Sequence, residues 1–349
     1  MKEKKRILIC PLDWGLGHAT RCIQIIDELL LQNHTVIIAA SGPPLALLKQ
    51  EFPNLDFVEF EGYSIRYGKH FLTLRLLLQI PKIVFGIISE HLQLKKICKR
   101  LQIDVVISDN RYGCWNPRCH SIFITHQIFI PAPIFKNTIR QINFWFMSRY
   151  RQVWIPDWQG DHNLSADLSH GKTIPQNAKY IGPLSRFYNT EKLVKHKIQY
   201  KVCAILSGPE PQRSVLEDIL IEQICKLQLP AIIIRGLPEN SNIRKNFECI
   251  EFVNHLPKDA LLKVMLSAEN IICRSGYSSI MDLQLLEQKA ILIPTPGQKE
   301  QEYLAANLSA RKICFSSNQH SFELAEALKK NLLYNGFKAM QQTRLSLAF

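Results

Sequence analysis

The chain has 349 residues, 46% of them hydrophobic and 21% charged, with a formal net charge of +13 at pH 7. That is a globular balance, long enough for two ordinary domains, and the lack of low-complexity tracts or solenoid-length repeats excludes disordered and repeat classes. The positive charge is concentrated. Between Ser64 and Arg151 there are 14 Lys and Arg against 3 acids (Glu90, Asp104 and Asp109), a field that attracts anionic lipid, nucleic acid or phosphorylated substrates.

The opening MKEKKRILIC runs from a charged leader into a short apolar strand and lacks the length and cleavage site of a signal peptide. The ten scattered cysteines are therefore expected to be reduced thiols in a cytoplasm. RILIC (6–10) is a strand, followed by a Gly-containing turn and a helix from Thr20 to Leu31. TVIIAA (35–40) and FVEF (57–60) read as the next strands. Phe71 to Ile88 is strongly apolar, but Arg75, Gln79, Pro81 and Lys82 interrupt it, so it is not read as a membrane span. It reads either as a helix lying on a membrane surface or as a pair of core-facing helices with solvated basic faces. IDVVISD (103–109) and SIFITH (121–126) are further strands. Cys114, Cys119 and His120 stand alone without a second pair, so they read as ordinary thiols and no metal is expected.

Pro156 to Lys195 is less periodic and richer in Asp, Gly, Pro and Asn. The domain boundary is placed near its end, dividing the chain into 1–190 and 191–349. The pattern then restarts with KVCAILSG (201–208), a helix from Ser214 to Leu227, and PAIIIRG (230–236), NIICRSG (270–276) and AILIPTP (290–296). Strands alternating with helices predict an α/β protein of two doubly wound parallel sheets, with ligands at the carboxyl ends of the strands.

The candidate site residues fall at those ends. After the first strand come Asp13, Trp14, Gly15, Leu16, Gly17 and His18. The third glycine of a dinucleotide fingerprint would fall on Thr20, so that fingerprint is incomplete. His18 is either a capping or solvent-facing histidine or a general base, a role that suits a neutral imidazole. The carboxylate to orient it is Asp109 or its competitor Asp13. Arg111, His126 and Gln127 follow the ends of two strands and read as cleft lining with Gly15 and Gly17. In the second half, Ser207-Gly208 and Arg274-Ser275-Gly276-Tyr277 are compact anion cradles of small residues, hydroxyls and free amides. Arg235 closes the strand between them. Asp282, about two turns into the next helix, is either solvated or accepts hydrogen bonds from a ribose diol. Gln301 and Glu302 offer an amide and a carboxylate to sugar hydroxyls.

The stretch IICRSGYSSIMDLQLLEQKAILIPTPGQKEQEYLAAN (271–307) resembles the donor-binding region of GT-B glycosyltransferases, and within them glycosyltransferase family 28. That pattern is a strand, Arg-Ser-Gly, a helix with an acidic residue, a strand ending in Pro and a Gln-containing loop. Arg274, Ser275, Gly276, Asp282, Pro294 and Gln301 meet it. Asp282 stands where the family usually has Glu, one methylene longer. Gly15, Gly17 and His18 resemble the family's glycine-rich loop with its terminal histidine, and Ser207-Gly208 its first C-domain loop; both are less glycine-rich here.

The resemblance implies two facing Rossmann-like domains with the active site between them, the first binding the acceptor and the second the donor. It implies an inverting, metal-independent transferase using a UDP-linked sugar, N-acetylglucosamine among the choices. The nucleotide-sugar is a substrate, and no cofactor is expected. His18 and Asp109 would be catalytic, and Ser207, Gly208, Arg235, Arg274, Ser275, Gly276, Tyr277, Asp282, Gln301 and Glu302 would hold the donor. Asp13, Gly15, Gly17, Arg111, His126 and Gln127 would line the acceptor side. The basic first half suits a lipid-linked acceptor or an anionic membrane surface, which places the enzyme in the cytoplasm, peripheral on the inner face of the plasma membrane. No nucleic-acid partner is expected. One rival is a nucleotide-sugar 2-epimerase on the same fold. The other is a non-catalytic membrane- or nucleic-acid-binding protein, which would leave the strand-end loops unexplained.

Overall fold

The computed structural model describes residues 3–62, 72–131, 135–171, 173–188, 197–238, 247, 249–338, 340 and 345, the side chains of 72–80 excepted. Most of the boundary segment proposed around 186–195 and the first half of the Phe71–Ile88 stretch thus lie outside the described side chains. Two compact units emerge, Met1–Leu184 and Ser185–Gln341.

The first unit runs β1 (Arg6–Pro11), α1 (Leu16–Leu31), β2 (Thr35–Ala40), α2 (Gly42–Glu51), β3 (Asp56–Glu59), α3 (Leu72–Leu101), β4 (Val105–Asp109), β5 (His120–Ile124), α4 (Lys136–Met147), β6 (Gln152–Ile155) and β7 (Ala178–Tyr180). Its strands form one parallel sheet in the order β3-β2-β1-β4-β5-β6-β7. β1 and β4 are buried on both faces through Ile7, Leu8, Ile9, Val105, Val106 and Ile107, which is why they read as continuous apolar runs. The strand order reverses between them. At such a point the connections leave in opposite directions and open a crevice at the carboxyl edge. Pro11 pairs with Asp109 there, so the loop bearing Asp13 and Gly15 starts beside that carboxylate.

The second unit runs β8 (Tyr200–Ile205), α5 (Gln212–Leu227), β9 (Ala231–Ile234), β10 (Ile250–Val253), α6 (Lys258–Leu266), β11 (Ala268–Cys273), α7 (Tyr277–Leu285), β12 (Ala290–Leu292), α8 (Lys299–Ala310), β13 (Phe315–Ser316) and α9 (Leu324–Asn331). Its parallel sheet has the order β10-β9-β8-β11-β12-β13. The reversal falls between β8 and β11, the strands that end in the two Ser-Gly segments. Val202, Ala204, Ile233, Ile272 and Ile291 pack against Leu216, Leu220 and Ile224 of α5 to make the core.

Three features differ from the sequence expectation. α1 begins at Leu16 with Gly15 as its N-cap, so His18 lies in the first turn rather than before the helix. α3 is one helix of 30 residues with Pro81 inside it, not a pair of helices. From Pro81 onward it is two-faced: Glu90, Leu94, Ile97 and Cys98 are buried, while Val84, Phe85, Ile88 and Leu92 are exposed, as are Lys95, Lys96, Lys99 and Arg100. The strands β6, β7, β10 and β13 were not foreseen; they have only two to four residues each, too short to show a period. Among the described residues no helix is long and apolar enough to cross a membrane, and no cluster of His, Cys, Asp and Glu is set to hold a metal ion. Cys114 and Cys119 are buried thiols.

Candidate active site

Asp109 ends β4 fully buried at the switch point of the first sheet. A buried carboxylate requires a positive partner, and Arg21 supplies it. Positions three and four apart share a helix face, so α1 brings His18, Arg21 and Cys22 to Asp109 together. Arg21 Nε donates to Asp109 Oδ2 at 2.7 Å and Nη2 donates to Oδ1. His18 Nδ1 lies 3.2 Å from Asp109 Oδ2 and 3.0 Å from Arg21 Nη2. Arg21 Nη1 lies 3.2 Å from Nδ1 of the buried His126.

The His18 side chain keeps 20% exposure while Asp109 has none. Burial lowers the His18 pKa below its ordinary value; Asp109 opposes the fall and Arg21 adds to it. Burial alone would raise the Asp109 carboxyl, but Arg21 and His18 outweigh it and hold the group at about 2. The result is an uncharged imidazole backed by an ionised carboxylate. With Nδ1–H donating to Asp109, Nε2 keeps its lone pair, which is the arrangement of a general base. Arg21 was missed in the sequence. Its signal was an arginine three residues after His18, on the same helix face.

Asp13 does not orient His18. It accepts from Gly62 N at 2.9 Å and Ser41 Oγ at 3.2 Å instead. Arg111 is a correction: it does not line a cleft. Asn110 takes a left-handed φ of 59°, and Arg111 is fully buried, donating to Glu90 Oε1 at 3.0 Å and Phe60 O at 3.1 Å with its guanidinium 4.1 Å over the Phe60 ring. It ties α3 to the sheet. Gly15 is open, with nothing within 4 Å of where a Cβ would stand. Gly17 lies in the first turn and accepts from Thr20 Oγ1. Gln127 is half-buried, its backbone N–H donating to Thr125 Oγ1 at 3.0 Å.

At the switch point of the second sheet, Arg274 is 1% exposed. Nη1 donates to Ile293 O and Pro294 O at 3.1 and 3.3 Å, and Nη2 to Gln212 O at 2.7 Å. Among the described residues no carboxylate pairs with it. Burial lowers its pKa to about 10, opposed only by the Cys273 thiol. Its Nε is buried without a partner, and so is Thr295 Oγ1. Both face Gly208, whose φ is +101°; a Cβ there would stand 3.3 Å from Thr295 Oγ1 and 3.9 Å from Arg274 Nε. The backbone requires glycine there, and a Cβ would also crowd the Thr295 hydroxyl. Gly276 caps α7 with open space around it, and no side chain caps that helix.

The other expected donor residues have partners of their own. Ser275 is buried and its hydroxyl donates to Gln301 O at 2.8 Å, so only its backbone remains to meet a ligand. Gln301 Oε1 accepts from Thr295 N at 2.9 Å, and Glu302 Oε1 from Gly297 N at 3.0 Å. These two side chains brace the loop before α8, whose amides would otherwise lack acceptors. Arg235 donates to Glu217 Oε1 at 2.9 Å and Asn254 Oδ1 at 3.0 Å. Tyr277 is buried, and Ser207 is half-buried beside Gly208. Asp282 is buried too: Ser185 Oγ donates to Oδ1 at 2.6 Å and Arg186 Nε to Oδ2 at 3.0 Å. The sequence offered no signal for that pairing, because 97 residues separate Ser185 from Asp282.

Two doubly wound parallel units, each with a polar cluster at its switch point, make up the GT-B fold. Residues 237–347 match the glycosyltransferase family 28 C-terminal domain, which contains Arg274, Asp282, Gln301 and Glu302. The chain is similar to the UDP-N-acetylglucosamine–N-acetylmuramyl-(pentapeptide) pyrophosphoryl-undecaprenol N-acetylglucosamine transferase of Natranaerobius thermophilus. That similarity is 23% identity over 297 residues, 80% of this chain and 77% of that one. The transferase of the same name from Histophilus somni is 21% identical over 323 residues, 89% and 84% of the two chains. Among solved structures, the glycosyltransferase SnogD from Streptomyces nogalater superposes with a TM-score of 0.65 at 12% identity, covering 95% of this chain and 91% of its own. Acinetobacter baumannii MurG does so with a TM-score of 0.53 at 13% identity, covering 94% and 89%.

Proposed function

We propose that the enzyme transfers a sugar, N-acetylglucosamine foremost, from a UDP-sugar to a hydroxyl of a lipid-linked acceptor, with inversion and without a metal. The observation that carries this reading is Arg274. Among the described residues it is a buried cation with no carboxylate partner and a free Nε beside Gly208, three residues before α7, whose start no side chain caps. A nucleotide diphosphate supplies the anion that this environment lacks. Charge on the leaving diphosphate grows as the sugar bond breaks. A fixed guanidinium and the first amides of α7 therefore favour the transition state over the bound donor, the work that a metal does elsewhere.

In the proposed step, His18 Nε2 takes the proton of the acceptor hydroxyl as its oxygen attacks the anomeric carbon. The bond from that carbon to the diphosphate oxygen breaks, and its electron pair leaves with the nucleotide. Asp109 stabilises the imidazolium through Nδ1–H. A single displacement inverts the anomeric centre. The choice of UDP and of a lipid-linked acceptor leans on the names of the two bacterial relatives. It also suits the exposed stripe of Val84, Phe85, Ile88 and Leu92 on α3, followed by four basic residues, and the exposed Trp145 on α4. An apolar stripe with flanking Lys and Arg fits the face of a bilayer, which supports the proposed peripheral place on the inner face of the plasma membrane.

The test is calorimetry with UDP and UDP-N-acetylglucosamine. Arg274→Met should weaken both by about tenfold or more, the scale of a lost charge-assisted contact, while His18→Ala should leave them unchanged. Wild-type protein that binds neither ligand would end the reading. An epimer formed from the nucleotide-sugar alone would replace it with the epimerase alternative.

A further inference from the structure

We propose that Arg21 is a positioning residue of this site: it grips Asp109 by both oxygens and reaches His18 Nδ1, so that the imidazole stays uncharged while the carboxylate behind it stays ionised. The inference rests on the reading of His18 as the base.

The groups that face His18 come from three places. Asp109 closes β4, Arg21 and Cys22 lie on α1, and His126 follows β5. Only Arg21 carries a permanent positive charge, since a guanidinium does not lose its proton in proteins. A lone buried carboxylate 3.2 Å from Nδ1 would hold a proton on the imidazole before any acceptor arrived, and a protonated imidazole is no base. Pairing Asp109 with Arg21 offsets part of that demand, because the guanidinium's charge opposes the carboxylate's at the ring.

The geometry also bears on the tautomer. A guanidinium only donates. If Arg21 Nη2 donates to His18 Nδ1, the ring proton sits on Nε2 and the base is lost. If Nδ1–H donates to Asp109, Nε2 is free. The two partners stand at 3.0 and 3.2 Å, and Nη2 also donates to Asp109 Oδ1. Arg21 thus sets the balance between the two tautomers by how tightly Asp109 engages it. The same guanidinium reaches the neighbouring ring, with Nη1 3.2 Å from His126 Nδ1.

The test needs no substrate. Full-length chain labelled with 15N-histidine is titrated by NMR, and His18 is assigned through His18→Gln. Wild-type His18 should be neutral at pH 7. Arg21→Met should raise its proton affinity by about tenfold or more, one unit of midpoint. Arg21→Lys keeps the charge and loses the fork, and should stay within about threefold of wild type, since the charge is the larger influence. Should Arg21→Met fail to fold, Asp109→Asn is compared with the double variant Arg21→Met/Asp109→Asn, which buries neither charge. His18 should bind its proton about tenfold more tightly in the double variant. A midpoint that does not move when Arg21 is removed, in whichever comparison folds, overturns the proposal. The base role itself is judged separately, by sugar transfer in His18→Ala.

Discussion

Replacing Asp282 by alanine should unsettle the second unit, whatever it does to the donor. The side chain of Asp282 is 6% exposed and that of Arg186 is 14% exposed. Oδ1 accepts from Ser185 Oγ at 2.6 Å, and Oδ2 from Arg186 Nε at 3.0 Å and Nη2 at 2.9 Å. Truncation removes all three contacts and leaves the Arg186 guanidinium without its carboxylate. Each hydrogen bond to a charged group contributes about 1.5–3 kcal/mol. They share one carboxylate, so they do not add in full, and the loss should be about 3–5 kcal/mol, the usual result of breaking a buried pair from one side. A double-mutant cycle with Arg186→Met should show a coupling of about 1.5–3 kcal/mol. All five tryptophans (Trp14, Trp115, Trp145, Trp154 and Trp158) precede Ser185, so fluorescence reports on the wrong unit. Peptide-resolved hydrogen exchange across α7 is the proper readout. Unchanged protection of α7 in Asp282→Ala, or a coupling near zero, would refute the reasoning and return Asp282 to the role of a free ribose ligand.

Other outcomes follow from the same geometry. His18→Ala should cut transfer by about 100-fold to 10,000-fold, the span of a lost general base, and near-normal turnover on the true acceptor would remove it from the mechanism. Asp109→Asn should leave Arg21 buried and unbalanced and destabilise the first unit by about 3–5 kcal/mol; a denaturation midpoint equal to wild type by tryptophan fluorescence would contradict this. Burial, with Arg186 second, lowers the His255 pKa to about 4. Its folded value lies below the unfolded value of about 6.5, so the unfolded chain binds more protons in between. The second unit should keep this stability above that window and lose it as pH falls toward 4. His255→Gln should flatten the dependence, and a slope that persists in the variant would point to another group. Reversing the charges of Lys95, Lys96, Lys99 and Arg100 should release the chain from anionic vesicles, since each basic residue near such a surface contributes about 1 kcal/mol. Co-sedimentation indifferent both to that change and to added salt would argue against membrane docking.

Much of the fold was legible because the central strands are unambiguous. RILIC, IDVVISD, KVCAILSG and NIICRSG are apolar on both faces and end in polar or small residues, which marks them as inner strands of parallel sheets. Those strands flank the two reversals of strand order, so the loops they carry were readable as candidates for a site. What was hidden depends on side-chain direction. Arg111 and Asp109 are two residues apart at the same strand end, and only the left-handed turn at Asn110 sends one into the core beside Glu90. Gln301 and Glu302 looked like sugar contacts by composition. The loop containing Pro294, Pro296 and Gly297 has amides that need acceptors, and those two side chains provide them. Ser185 and Arg186 meet Asp282 across a distance in sequence that no local pattern reports.

The buried arginines show how charge accounting separates scaffold from ligand site. Arg21, Arg111, Arg213 and Arg274 are all at least nine-tenths buried. Arg21 is matched by Asp109, Arg111 by Glu90, and Arg213 by Glu217 and Glu210. Each of those three has its carboxylate within the chain. Among the described residues, Arg274 is held only by the carbonyls of Gln212, Ile293 and Pro294. Carbonyl dipoles orient a guanidinium but do not cancel its charge, and an uncompensated buried ion costs several kcal/mol. Lysine would bring the same charge, yet its single ammonium could not hold three carbonyls from a rigid plane and keep a further donor free. That free donor, Nε, points to the side where Gly208 has no Cβ and Thr295 Oγ1 has no partner. A cation, a hydroxyl and a space kept open by glycine converge at the carboxyl edge where β8 and β11 part, and the proposed diphosphate completes all three at once.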